Sequence, residues 1–353
     1  MAGNPHAWHL ADLAKVPQNG LRVFSTFACG GGSSMGYKRA GFTMVGANDI
    51  DPEMRWHYEH NLHPSLFIEA PVRELLTMDL PSELDDLDVL DGYPPCSSFS
   101  TSGSREKTWG REKHFREGQA VQVLDDLFFD FLDVAERLRP KVVIAENVKG
   151  LITGRAKGYV QAITTRLRGL GYRPQLFLVN AANCGVPQAR ERVFFVAVRS
   201  DLDVPPLVLN PQHRWVTARE ALEDVADLTD AERKDTAPSG LDLRYWPLTP
   251  PGRRYLDAAV ELEGRMSYWD SRKLNPDSPA WTITATGGGK HWAECRGLTF
   301  RETKRLGSFP DDYQAKTDAI GKYMVGMSVP PKMMEAVARA VAEQWFGASR
   351  GEG

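Results

Sequence analysis

Over the first 200 residues, short apolar runs alternate with longer amphipathic stretches, and this rhythm constrains the fold more than any other feature. LRVFSTF predicts a first strand, TMVGAN a second, SLFIEAPV a third, LDVLDGY a fourth and KVVIAEN a fifth. Strands recurring with helical segments between them make an α/β protein: a mostly parallel, doubly wound sheet with helices on its faces. Between the fourth and fifth runs, Val121, Leu124, Leu127, Phe128, Phe131, Leu132, Ala135 and Leu138 recur at helical spacing, and Pro140 follows. That pattern predicts the crossover helix that parallel strands require. The 353 residues, 42% of them hydrophobic, suffice for one large domain and a smaller one. The predicted division is a first domain over 1–199, a loop-rich domain over 200–270 and a return segment over 271–353. The last helix, PKMMEAVARAVAEQ, is expected to pack back on the sheet beside the first strand.

Several function classes are disfavoured early. No apolar run approaches ~18 residues, so no membrane span is expected. MAGNPHAWHLADLAKV lacks the basic start and apolar centre of a signal peptide. Cys29, Cys96, Cys184 and Cys295 lie far apart, with neither metal-ligand spacing nor a disulfide rhythm. A reduced, cytoplasmic, metal-free monomer is the expectation. The net charge of −3 gives no global basic field. GSREKTWGREKHFREG and ARERVFFVAVR are nevertheless locally basic, as are the arginines and aromatics between His213 and Lys273. Patches of this kind are solvated loops in many proteins, and in others they meet nucleic acid.

The polar residues of interest follow the strands. ACGGGSSMG comes after the first, Asp49 ends the second, Cys96 follows the fourth and Glu146 ends the fifth. Open α/β sheets bind ligands beyond the carboxyl ends of their strands, so four distant parts of the chain converge on one rim. In FACGGGSSMGYKRAGF the glycines let a ligand approach the backbone, and Asp49 stands 18 residues beyond Gly31, where an acid suits a ribose diol. Gly30, Gly32 and Gly36 give G-x-G-x-x-x-G, which is not a dinucleotide fingerprint, and no Walker lysine follows. A nucleoside without pyrophosphate, such as S-adenosylmethionine, fits better than NAD or ATP.

DGYPPCSSFS places two prolines ahead of Cys96 and small polar residues after it. A lone cysteine is usually a small buried hydrophobe. Beside a nucleoside loop and an acid it reads instead as a nucleophile, since a thiol is intrinsically strong although weakly ionised near neutrality. Glu146 of ENV sits at a strand end where burial can keep it protonated as a donor. Arg190 and Arg192 are two apart, so an extended segment would point both to one face, suited to a carbonyl oxygen and a phosphate.

In this order the motifs are specific, and the chain resembles the DNA (cytosine-5) methyltransferases over nearly its whole length. FACGGGSSMG resembles the cofactor loop, PPCS the nucleophile motif and ENV the acid motif. NAANCGVPQARERVFFVAVR resembles the arginine-bearing hairpin. RGLTFRETKRLGSFPDDY and VGMSVPPKMMEAVARAVAEQ resemble the closing motifs. The resemblance implies the S-adenosylmethionine-dependent methyltransferase fold with an antiparallel hairpin, S-adenosyl-L-methionine as cofactor and double-stranded DNA as partner. It assigns the catalytic and cofactor role to 1–199 and target recognition to 200–270. It implies Cys96 for addition to cytosine C6, Glu146 for N3, Arg192 for the base oxygen and Arg190 in support. Ser97, Asn147 and Val148 would line the base. Phe27, Gly30, Gly31, Gly32, Asp49 and Ile50 would hold the donor. Pro71, Val72, Pro95 and Leu127 would complete that pocket with Met327, Ser328 and Val329.

It further implies a loop with Arg105, Lys107, Arg111 and Lys113 that closes over the base, and DNA contacts from Arg214, Arg244, Arg253 and Arg254. Some positions depart from the family pattern. Cys29 replaces a glycine, Pro71 an acid that meets the adenine amine, Tyr93 a small residue and Met327 an asparagine, while Ser97 is a familiar alternative to glutamine. Glu69 offers a substitute acid for the adenine. A transfer-RNA cytosine-5 methylase of the same fold, or a modified donor delivering a larger group, are the alternatives. A carboxylated donor would look to Lys322 or Arg73.

Overall fold

The computed structural model describes residues 4–95, 126–153, 157–225, 227–264, 271–285 and 287–347. The strands are β1 (Arg22–Thr26), β2 (Thr43–Asp49), β3 (Phe67–Glu69), β4 (Val89–Gly92), β5 (Val142–Val148), β6 (Tyr172–Asn180), β7 (Gln188–Ala189), β8 (Glu191–Arg199) and β9 (Ala280–Trp281). Seven of them form one sheet in the order β3-β2-β1-β4-β5-β8-β6. Pairing is parallel from β3 to β5, and β8 then lies antiparallel between β5 and β6. The expected parallel sheet with an antiparallel hairpin is therefore the observed one. β3 keeps only three residues of SLFIEAPV, because Pro71 cannot donate to a ladder and opens a 3₁₀ turn over Val72–Leu76.

Helices α1 (Gly32–Arg39), α2 (Pro52–Leu62), α3 (Leu127–Leu138) and α4 (Lys157–Gly169) join these strands. The Asp51 side chain caps α2 by accepting from Glu53 N at 2.9 Å, with Pro52 in the first turn. Leu127, Phe128, Phe131, Leu132 and Ala135 of α3 are buried against Phe24, Leu90, Val143, Val193 and Phe195. Val121 and Leu124 of the predicted helix lie outside the described residues. On the last helix, Pro331–Trp345, Met334, Val337, Ala338, Val341, Ala342 and Trp345 form a buried stripe. Its Glu335 pairs with Arg39 at 2.6 Å, and its Arg339 donates to the Arg39 carbonyl at 2.7 Å, tying it to the end of α1.

The chain forms two compact units. One comprises 13–180, 191–211 and 334–353, and the other 1–12, 181–190 and 212–333. These divisions differ from those read in the sequence, and the reason lies in the core of the second unit. There Val216, Ala218, Ala221, Leu222 and Val225 pack with Leu274, Ala280, Ile283, Leu298 and Leu306, joining residues on both sides of position 270. This unit carries α5 (Ala218–Leu222), α6 (Asp230–Asp235), α7 (Gly240–Tyr245), α8 (Tyr255–Glu263), α9 (Phe300–Leu306) and α10 (Asp318–Met327).

Candidate active site

The turn out of β1 is built on left-handed backbone: φ is 53° at Phe27, 46° at Cys29 and 80° at Gly31. Two non-glycine residues in that region store strain of the kind that gathers at ligand sites. Main-chain bonds hold the turn. Ala28 N donates to Asn48 O at 2.9 Å, and Cys29 N to Asp49 Oδ2 at 2.8 Å. Asp51 N donates to Asp49 Oδ1 at 2.9 Å. Burial raises the Asp49 pKa to about 6, while these N–H groups pull it down. Each carboxylate oxygen keeps a further lone pair, which matches a vicinal diol.

Phe27 and Ile50 are half-buried beside this acid, with Phe27 packed against the main core. Gly30, Gly31 and Gly32 are buried; a Cβ on Gly31 would lie 2.3 Å from Leu62 Cδ1. Val72 and Leu127 are core residues, and Pro71 and Pro95 are half-buried. One diol-matched carboxylate, an aromatic ring and glycine backbone together fit a nucleoside donor. Glu69 does not face this site as a free acid: it is exposed and pairs with Arg55 at 3.4 Å.

Beneath the glycine turn lies a group that sequence reading missed. Asp91 of β4 is 2% exposed and accepts from Ser25 Oγ at 2.8 Å, Ser33 Oγ at 2.7 Å and Tyr37 Oη at 3.2 Å. Burial raises its pKa to about 6, against the pull of these three donors, and Glu146 adds to the rise. The signal was a lone acid inside an apolar strand, with serines in the neighbouring strand and helix.

At the end of β5, register sets the geometry. Val148 pairs with Arg192 and Glu146 with Phe194, so Glu146 and Arg192 are diagonal neighbours on one face. Arg192 Nε lies 2.8 Å from Glu146 Oε1, both side chains being nearly buried at 13% and 11% exposure. Burial lowers the Arg192 pKa, and the carboxylate beside it acts in the opposite sense. The sequence reading has burial keep Glu146 protonated, and the structure sets the Arg192 guanidinium against the same carboxyl. Asn147 is buried and its Nδ2 donates to Pro94 O at 3.1 Å, anchoring the segment that leads to the thiol. Cys96, Ser97 and the basic residues Arg105, Lys107, Arg111 and Lys113 lie outside the described residues.

Arg190 is the single residue between β7 and β8, and its carbonyl accepts from Ala181 N at 2.9 Å. β7 itself pairs with β9 and not with the main sheet. The Arg190 guanidinium, 2% exposed with its residue, donates to Ile283 O at 2.8 Å and Gly326 O at 3.0 Å within the second unit. Ser328 and Val329, at the end of α10, are buried there, while Met327 is 46% exposed. Arg214, Arg244 and Arg254 pair with Glu220, Glu263 and Asp257, and Arg253 is exposed. Arg272 stacks over the exposed Trp281, 4.5 Å from its centroid. Among the described residues no His, Cys, Asp and Glu cluster could hold a metal, and no helix is long and apolar enough to cross a membrane.

The sheet and its rim define an α/β enzyme of the methyltransferase type. A family model described as C-5 cytosine-specific DNA methylase matches residues 21–343, and the chain belongs to that family. Type II methyltransferase M.NgoFVII of Neisseria gonorrhoeae is 29% identical over 343 residues, covering 92% of this chain and 87% of that protein. M.BbvI of Brevibacillus brevis is 31% identical over 326 residues, covering 85% and 82%. A solved structure described as a DNA modification methyltransferase encoded within an Escherichia coli prophage matches with a TM-score of 0.67. Its identity is 22%, over 92% of this chain and 99% of that one, so the likeness shows the fold. The enzyme is a DNA (cytosine-5) methyltransferase.

Proposed function

We propose that the enzyme moves a methyl group from S-adenosyl-L-methionine to C5 of a cytosine flipped out of a specific double-stranded DNA sequence, through a covalent bond between Cys96 and C6. The observation that carries this reading is the Glu146–Arg192 pair at the end of β5, linked through Asn147 to the prolines before Cys96. When bound, the donor supplies an electrophilic methyl on a sulfonium. Asp49 would hold its ribose hydroxyls, Phe27 its adenine, and Gly30 to Gly32 its amino-acid portion.

Cytosine C5 alone is too poor a nucleophile for that methyl. Addition of the Cys96 thiolate to C6 moves the C5–C6 π electrons towards C5. Glu146 supplies the proton at N3, and Arg192 neutralises charge at O2. After methylation, loss of the C5 proton, expulsion of the thiolate and return of the N3 proton to Glu146 restore the neutral aromatic ring. These groups cannot reach a stacked base, hence the flipping. The second unit is assigned to target recognition. DNA carrying 5-fluorocytosine at the target tests the route, because fluorine cannot leave as a proton. Wild type should form a complex stable to denaturing electrophoresis; equal trapping by Cys96→Ser would overturn the assignment.

A carboxylated donor finds little support. Arg73 is already held by Asp130 at 3.0 Å and Lys322 by Asp235 at 2.6 Å. The acids Asp49 and Asp91 favour a cationic ligand nearby and oppose an anionic one.

A further inference from the structure

The strand order reverses direction between β1 and β4, the place where open sheets form their ligand crevice. Thr26 and Gly92 are paired there, so Phe27 and Tyr93 are the first residues beyond the sheet on its two sides. Gly92 brings the chains close: a Cβ on it would lie 2.6 Å from both Thr26 Oγ1 and Phe131 Cε2. Tyr93 differs from the buried tyrosines of this unit. Tyr37 Oη donates to Asp91, Tyr58 Oη to Ser34 Oγ and Tyr172 Oη to the Pro140 carbonyl. The Tyr93 hydroxyl is sealed from solvent, and no hydrogen-bond partner meets it among the described residues. Buried polar groups are so rarely left unmet that one beside a ligand crevice points to the ligand.

The surroundings indicate which part of the ligand. Burial, then Cys29, Asp49, Asp91 and Glu146, hold the phenol protonated. Tyr93 follows β4, which pairs with β1 on one side and β5 on the other, so it leaves the sheet between the turn held by Asp49 and the strand carrying Glu146. On the donor reading, a group passing from nucleoside to base crosses between those two. There a neutral phenol oxygen with free lone pairs attracts the polarised C–H groups of a cation.

We propose that the Tyr93 hydroxyl recognises the sulfonium end of the methyl donor and distinguishes the cationic donor from its neutral thioether product. This rests on the donor reading of the Asp49 crevice. The test is calorimetric binding of S-adenosylmethionine and S-adenosylhomocysteine to the full chain and to Tyr93→Phe, with the thermal midpoint of each protein measured without ligand. Loss of one hydrogen-bonding group should weaken S-adenosylmethionine about tenfold and S-adenosylhomocysteine less than twofold. The unliganded variant should melt no lower than wild type, since the deleted oxygen meets no partner. A purely structural tyrosine would lower the midpoint and leave the ratio of affinities unchanged, which would overturn the proposal. Equal weakening of both nucleosides would overturn it too. A wild type that binds neither nucleoside removes the donor reading itself, and the proposal with it.

Discussion

Among the described residues, Glu146 is the one placed to pass a proton to N3. Replacing it with Gln keeps its shape but removes the acid that passes a proton to N3 and pairs with Arg192. Turnover should fall ~100-fold or more while DNA affinity stays close to wild type. Single-turnover rates beside equilibrium DNA binding check this, and a variant within fivefold of wild-type turnover rejects the role. Asp91 gives a prediction in pH. Its folded-state pKa of about 6 lies above its ordinary value, so the folded protein holds the proton more tightly than the unfolded chain does. The resulting stability is fully present below about pH 4 and is lost as pH rises through about 6. Asp91→Asn lacks that titration. Relative to wild type it should therefore gain roughly 2–3 kcal/mol between pH 4 and 7. Urea unfolding across that range measures the difference, and a constant offset would rule the mechanism out.

Elements differ in how plainly the sequence announced them. β1, β2, β4 and β5 stand where the apolar runs are, because strands buried on both faces must be apolar throughout. The convergence of the glycine turn, Asp49 and Glu146 on one rim followed from that order alone. The helices between 218 and 263 were not legible by periodicity, since five to nine residues complete too few turns to show it. Three of their four starts were nevertheless written as capping boxes: Thr217 with Glu220, Thr229 with Glu232, Ser239 with Asp242. The commitment of Arg190 to two distant carbonyls left no local trace in its R-E-R setting. At this scale the glycine turn is the sharpest test. Gly31→Ala asks an L side chain to adopt φ 80° and pushes a methyl to 2.3 Å from Leu62 Cδ1. It should cost ~1–3 kcal/mol and weaken donor binding together. Denaturant midpoints and donor titration check both effects. Unchanged donor affinity in a destabilised variant would mean that the turn shapes the fold without shaping the pocket.

For the whole molecule, the two units make separate demands on any attempt to move the methylated site. A graft of residues 200–270 from a relative with another target follows the composition of the sequence, but it cuts through a core. Val216, Ala218, Ala221, Leu222 and Val225 would come from one parent, and Leu274, Ala280, Ile283, Leu298 and Leu306 from the other. Mismatched volumes in a close-packed core typically cost 1–3 kcal/mol each by overpacking, and more where cavities open, against a total stability of only ~5–15 kcal/mol. That chimera should be poorly folded whatever its target. A graft of 212–333 keeps all ten residues together, along with the ion pairs of Arg301 with Glu232 and Arg305 with Asp224. It leaves Asp49, Asp91, Glu146, Asn147 and Arg192 in their own unit. The longer chimera should melt cooperatively near the parents and, by bisulfite sequencing, methylate the donor parent's site. A well-folded, active chimera that still marks the recipient's site would refute target recognition by this unit.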